Sequence, residues 1–303
     1  MIALSTCWRS PLIDNGEELI RYFLDFGISR LELEYRISSE MFKQMKPLLH
    51  EVTIASIHNF FPTPDIIPDR KEGGAEVFSL ASLDKEEREK AITHTIRTIE
   101  TANRLEAKAV IIHLGSVSIK SENNTFIELL KQNKIKSEEG RKLIQLKKEE
   151  RRKKKAAHLD AACFSLERIA RAAEREGILI GIENGYKINK IPDPAELGLI
   201  LDRFEGAPVY FWYDAGHARF QENIGFIDSV RLLTRFRKKL IGIHLHDIKM
   251  DNDHLPPGKG EIDFPLIAKL LPDGTIKVME LHHKATEEEV SAGMAYLRKI
   301  GIA

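Results

Sequence analysis

The chain has 303 residues, and its 46 Lys+Arg are balanced by 46 Asp+Glu, which excludes a global basic field for nucleic acid but leaves a local patch open. Hydrophobic residues at 43% and charged residues at 30% suit a globular chain and exclude a disordered one. The two cysteines, Cys7 and Cys163, stand far apart in no metal-like spacing, and a cytoplasmic, reducing environment is expected. Trp8, Arg9 and Ser10 occupy positions where a signal peptide needs apolar residues, and no run reaches the ~20 apolar residues of a membrane span.

Short apolar runs alternate with amphipathic segments along the whole chain. A run over 2–4 precedes a helical pattern over 16–26, stopped by Gly27. Runs over 30–34 and 52–57 lead to a helical pattern over 85–105. The run over 109–113 is followed by a helix over 160–176, ended by Gly177. Runs over 179–183, 209–214 and 240–246 alternate with helices over 193–204 and 224–238. A run over 277–281 and a helix over 287–300, stopped by Gly301, complete the series. The runs are rich in Ile, Val and Leu and read as buried parallel strands. About eight strand–helix units predict an α/β chain, a single-domain (β/α)8 barrel over 1–303. The alternative, an open doubly wound sheet, lacks a glycine-rich phosphate fingerprint after the first strand.

Two stretches break the rhythm. The connection over 62–84 contains Pro62, Pro64, Pro68, Gly73 and Gly74. The segment over 116–155 ends in Lys153, Lys154 and Lys155 and is predicted to be an inserted basic helical segment on the catalytic face. Glu149–Lys153 and Glu150–Lys154 have the spacing of helical ion pairs, so its plain reading is a solvated helix face. A clamp for a polyanion is the alternative.

The informative signal is positional. Most predicted strands from the third onward end in His, Asp or Glu: His58, His113, Glu183, Asp214 with His217 behind it, His244 and His246, and Glu280 followed by His282 and His283. A carboxylate in the last turn of a buried strand is costly unless it is paired or ligates a metal. Imidazoles and carboxylates together suit Zn, Mn, Fe, Co or Ni, and Mg stays open. A lone strand-end histidine is usually structural; recurrence over successive strands is what that explanation leaves unexplained. Glu183, Asp214, His244 and Glu280 are therefore the expected ligand set. His58, His113, His217 and His246 are expected to ligate metal, bond substrate or orient a ligand. The polar loop over 251–260 reads either as a tight surface turn or as a lid carrying Asp253, His254 and Lys259.

Five motifs in order, Ile111-Ile112-His113-Leu114-Gly115-Ser116, Ile182-Glu183-Asn184, Asp214-Ala215-Gly216-His217-Ala218, His244-Leu245-His246-Asp247 and the stretch from His254 to Phe264, resemble the xylose isomerase-like superfamily. That superfamily includes sugar isomerases and epimerases and the endonuclease IV type of nuclease. The resemblance covers nearly the whole chain and implies that Glu183, Asp214, His244 and Glu280 fall on shared metal positions. It puts His58, His113, His217 and His254 where the nuclease branch has further ligands, with Asn252 or Asp253 near its acidic one. The basic insertion is no part of the pattern.

The resemblance implies a divalent-metal-dependent isomerase or epimerase of a small sugar-like carbonyl compound, with Glu183 and Glu280 as acid/base pair. Phe60, Phe61 and Trp8 are expected to wall the substrate. The alternative is a multi-metal phosphodiesterase acting on abasic DNA; a binding protein that keeps the metal site is a third reading. The substrate, its phosphorylation, the ion count and any self-association into a homo-oligomer are left open.

Overall fold

The structure is a computed structural model and describes residues 1–67, 69–71 and 74–302. Pro68 and Gly73 of the Pro/Gly-rich connection lie outside the described residues. Eight strands close into a barrel in chain order: β1 (Ala3–Ser5), β2 (Arg30–Leu33), β3 (Thr53–His58), β4 (Ala109–Ile112), β5 (Leu179–Glu183), β6 (Val209–Asp214), β7 (Leu240–Leu245) and β8 (Ile276–Met279). All eight neighbouring pairs are parallel. Each predicted run coincides with a barrel strand within one or two residues.

The connecting helices are α1 (Gly16–Asp25), α2 (Ser39–Met45), α3 (Lys85–Arg104), α4 (Asn123–Lys131), α5 (Glu138–Glu176), α6 (Pro194–Arg203), α7 (Ala215–Asn223), α8 (Ser229–Phe236), α9 (Phe264–Leu270) and α10 (Glu287–Lys299). The helix predicted over 224–238 is shorter, α8 alone, and α7 ahead of it was not anticipated. Gly225 sits at φ 76° in the connection between them, and the Asp228 side chain starts α8 by accepting from Arg231 N. Short α2 and α4 were not anticipated. None of the described helices is long and apolar enough to cross a membrane.

The basic insertion departs most from its plain reading. It merges with the helix predicted over 160–176 into α5, a single helix of 39 residues. Ser137 caps its start by accepting from Gly140 N, and Gly177 ends it in a left-handed conformation. Arg152, Lys153 and Lys154 are exposed as expected, but Lys147 and Arg151 are buried. Arg151 reaches Glu196 at 2.5 Å and donates to Asn189 O at 3.3 Å. The expected Glu149–Lys153 and Glu150–Lys154 pairs give way to Lys147–Glu150 at 2.7 Å and a bond from Lys154 to Ser118 O at 3.2 Å. Neighbouring segments supply acceptors that a lone helix lacks.

Among the described residues apolar side chains pack in three clusters, one of them a small group of Phe126, Ile188, Phe220, Ile224 and Ile248. The largest lies between the strands and the helices. Another fills the barrel interior, where Ala3, Ala55, Ala109, Ile111 and Val278 surround the Trp212 indole. Glycines make room for that ring: a Cβ on Gly242 would stand 2.0 Å from it, and one on Gly181 2.9 Å. Side chains alternate along a strand, so residues two further on from these inward positions also point along the barrel axis. Gly181, Trp212, Gly242 and Val278 thereby place Glu183, Asp214, His244 and Glu280 at the carboxyl-end rim.

Candidate metal centre

Glu183 is the hub of the rim. One carboxylate oxygen, Oε2, lies 3.1 Å from His58 Nε2 and 2.8 Å from His113 Nε2. The other, Oε1, lies 3.2 Å from His244 Nδ1 and 3.5 Å from His217 Nδ1. His244 Nδ1 also lies 3.2 Å from Glu280 and 3.6 Å from Asp214. Asp214 accepts the His217 backbone N–H at 2.6 Å, capping α7, and is 3.0 Å from His246 Nε2. Because α7 starts immediately after β6, one aspartate serves both as cap and as a group of the site.

Among the described residues, three groups of side chains can each bring ligand atoms within 4.8 Å of one another: Glu183, Asp214, His244 and Glu280; His58, His113 and Glu183; and His217, His246 and His254. Glu183 belongs to two of them. The first group puts three carboxylates and one imidazole in a buried locus. That excess of negative charge and its mixed N/O donors fit a divalent cation.

The electrostatics follow from this arrangement. Burial would raise the Glu183 pKa, but His113 and His244 outweigh it and hold the group well below the usual carboxylate range. Asp214 is likewise held well down against its burial by His217 and His246. Burial would lower His244 and His254; carboxylates instead push both well above the usual imidazole value. Glu183 similarly raises His113. His217 moves the other way, because its burial dominates. The fields that favour these imidazoliums are those a cation at the rim would feel.

The loop residues divide between the groups and the surface. His254 adopts φ 53° in an antiparallel hairpin formed by Asp247–Lys249 and Asn252–Leu255. Asp253 lies 3.3 Å from His254 Nδ1, and its own pKa is lowered to about 2: burial opposes the shift, and the His254 imidazole drives it. Lys259 is half exposed and faces Glu289 at 3.9 Å, away from the clusters. The buried Asp247 carboxylate holds the loop by accepting from Gly258, Gly260 and Ile262 N–H groups. It is therefore an anchored structure, more than a tight surface turn. His282 and His283 lie ring to ring, tilted by 36°, outside the clusters.

The expected apolar walls are not there. Trp8, Phe60 and Phe61 are fully buried in the layer between sheet and helices. Trp8 packs against Tyr22 and Phe23 and donates to Ala285 O; their bulk is satisfied by helix packing. The aromatics beside the site include Trp212 beneath it, 5.2 Å from the His244 ring, Tyr35, 5.4 Å from the His58 ring, and Tyr186, 5.7 Å from that of His217.

Four further residues went unread in the sequence. Glu32, inside β2, faces His244 Nε2 at 3.3 Å and accepts from Ser56 Oγ at 2.8 Å. Glu34, just past β2, is buried with Ser10 and Arg36. Asn184 holds the Asp214 backbone through two bonds, accepting at 2.9 Å and donating at 3.0 Å. Glu76 lies 3.1 Å from His113 Nδ1 and pairs with Lys190. Two acids two apart at the end of the second strand were the available signal for Glu32 and Glu34.

Barrel and rim together define a (β/α)8 protein with a His/carboxylate cluster at its strand ends. A family model described as xylose isomerase-like TIM barrel matches residues 24–300, and the chain belongs to that family. Similar solved structures include a D-tagatose 3-epimerase-like protein, 19% identical over 99% of this chain and 96% of that one, with a TM-score of 0.68. A 3-keto-D-glucoside 4-epimerase from E. coli is 14% identical, covering 98% of each chain, with a TM-score of 0.68. A D-psicose 3-epimerase from Clostridium cellulolyticum H10 is 14% identical over 99% of this chain and 98% of that one, at 0.66. No curated protein matches the chain.

Proposed function

We propose that this chain is a divalent-metal-dependent epimerase or isomerase of a small polyhydroxylated carbonyl compound. The observation that carries the reading is the buried convergence of Glu183, Asp214, His244 and Glu280. The sugar epimerases among the similar structures support it. Those four residues would hold the ion. A bound divalent ion supplies Lewis acidity toward a carbonyl and its neighbouring hydroxyl.

The chain's own residues do the proton work. Glu183 and Glu280 stand three strands apart around the ring. One carboxylate takes the C–H proton beside the carbonyl, and the electron pair left behind spreads into that carbonyl. The other, entering as its carboxylic acid, returns a proton to the opposite face, inverting the carbon, and exchange with solvent resets the pair. Asp214, shorter and already bonded to His217 N and His246, holds rather than transfers. Incubating the metal-loaded protein with ketohexoses in deuterated solvent tests the reading: metal-dependent exchange at the carbon beside the carbonyl is expected. No exchange and no epimer across the panel would reject it.

A second reading, a multi-metal phosphodiesterase resembling endonuclease IV, is favoured by one observation, the two additional His-rich groups flanking the first. With ions on both sides of Glu183, both its oxygens would be committed and no base would remain there. Metal analysis separates the readings. One or two ions per chain support the epimerase, whereas three ions with cleavage of abasic DNA support the phosphodiesterase.

A further inference from the structure

The insertion helps to build a cavity outside the metal centre. It lies between α5, the start of α6 and the start of α8, with a volume of about 470 Å³, within the ~300–1,000 Å³ of small-molecule sites. Its lining is strongly basic, although the chain as a whole is neutral. Arg151 and Lys155 are matched by Asp193 and Glu196. That leaves Lys148, Arg152, Arg231 and Arg235, none of which has an ion-pair partner among the described residues. The only other acid in the lining is Asp228, whose carboxylate already accepts from Arg231 N at 2.8 Å.

The floor is apolar. Pro194, Phe226, Ile227 and Leu232 form it, and Lys148 Nζ lies 5.5 Å from the Phe226 ring centre. The caps Asp193 and Asp228 already occupy the N-termini of α6 and α8, so an anion there would be held by side chains. Arginine forks match phosphate oxygens two at a time, and an apolar floor suits a flat ring.

We propose that this cleft binds a small phosphate ester with a flat apolar body, of the nucleotide class. Its enclosure by Asp193 and Asp228 disfavours a long polyphosphate backbone, which would run past both carboxylates. The inference stands apart from the epimerase reading and survives its failure.

Calorimetric titration of the metal-loaded chain with AMP, ADP and a 20-base-pair duplex, at physiological salt, tests it. One saturable nucleotide site per chain is expected. Arg152→Glu and Arg231→Glu should each weaken it by about tenfold or more, with Arg231→Lys intermediate. Arg152 and Arg231 are exposed, so metal content and thermal midpoint should stay unchanged and report that the fold is intact. Absence of nucleotide binding, or binding indifferent to both charge reversals, overturns the proposal. Duplex binding tighter than nucleotide binding, and lost in the same variants, also overturns it and assigns the cleft to nucleic acid.

Discussion

Glu32 stands behind His244, its carboxylate 3.3 Å from Nε2 while Nδ1 faces the candidate ligands Glu183 and Glu280. A carboxylate behind a ligating histidine fixes the ring and its tautomer and raises its basicity. Glu32→Gln keeps the shape and the Ser56 contact. Metal affinity, measured by competition with a chelator, should fall by roughly 10–100-fold with the fold retained. Unchanged affinity would remove Glu32 from the site.

Glu183→Gln and Glu280→Gln should each reduce solvent exchange into substrate by the ~10²–10⁴ of a lost general acid or base. Glu183→Gln should cut metal content as well, because Glu183 belongs to two of the candidate groups. Rates and metal content like the parent's in both variants would reject the two-glutamate assignment.

The metal-free chain should have a narrow stability maximum in mild acid. Glu183 and Asp214 are held below their ordinary values. Their contribution is present above the unfolded carboxylate pKa of ~4 and lost as pH falls through the folded values. His113, His244 and His254 are held above theirs. Their contribution is full below ~6.5 and lost as pH rises through the raised values. His217, and His94, His282 and His283 away from the clusters, are pushed down by burial and oppose them. Urea midpoints measured against pH should peak between about 4.5 and 6.5 without metal. Added metal should flatten the alkaline side, since a bound cation replaces the imidazolium charge; a curve indifferent to metal would contradict this.

Gly242→Ala tests the barrel interior. The new Cβ would stand 2.0 Å from the Trp212 ring, itself boxed in by Gly181. Overpacking of this kind costs about 1–3 kcal/mol or more, read as a lower urea midpoint at unchanged slope. Pairing it with Trp212→Phe should recover part of the loss.

Arg151→Ala should be costly although it lies in a basic run. The side chain is 2% exposed and pairs with Glu196 at 0%. Stranding one partner of a buried pair costs about 3–5 kcal/mol. Neutralising the whole run over 151–155 would therefore report on stability before it reported on nucleic acid. Equal stability of Arg151→Ala and the parent would show that Glu196 finds compensation in Lys155.

The sequence alone determined the barrel, because eight apolar runs of strand length separated by helical patterns admit few closed arrangements. It also determined which strand ends carry charge, because period-2 alternation in a buried strand makes an acid or imidazole at its end conspicuous. Tertiary structure alone decided which of these groups meet. Glu183 became the shared residue because four histidines from β3, the end of β4, α7 and β7 approach its two oxygens, a convergence no local spacing encodes. It decided that Trp8, Phe60 and Phe61 pack under helices, since apolar bulk in sequence does not say which side of a barrel wall will bury it. It decided the basic segment too: Arg151 is inside and Arg152 outside because a residue's partners on α6 lie 45 positions away, beyond the reach of any helical periodicity.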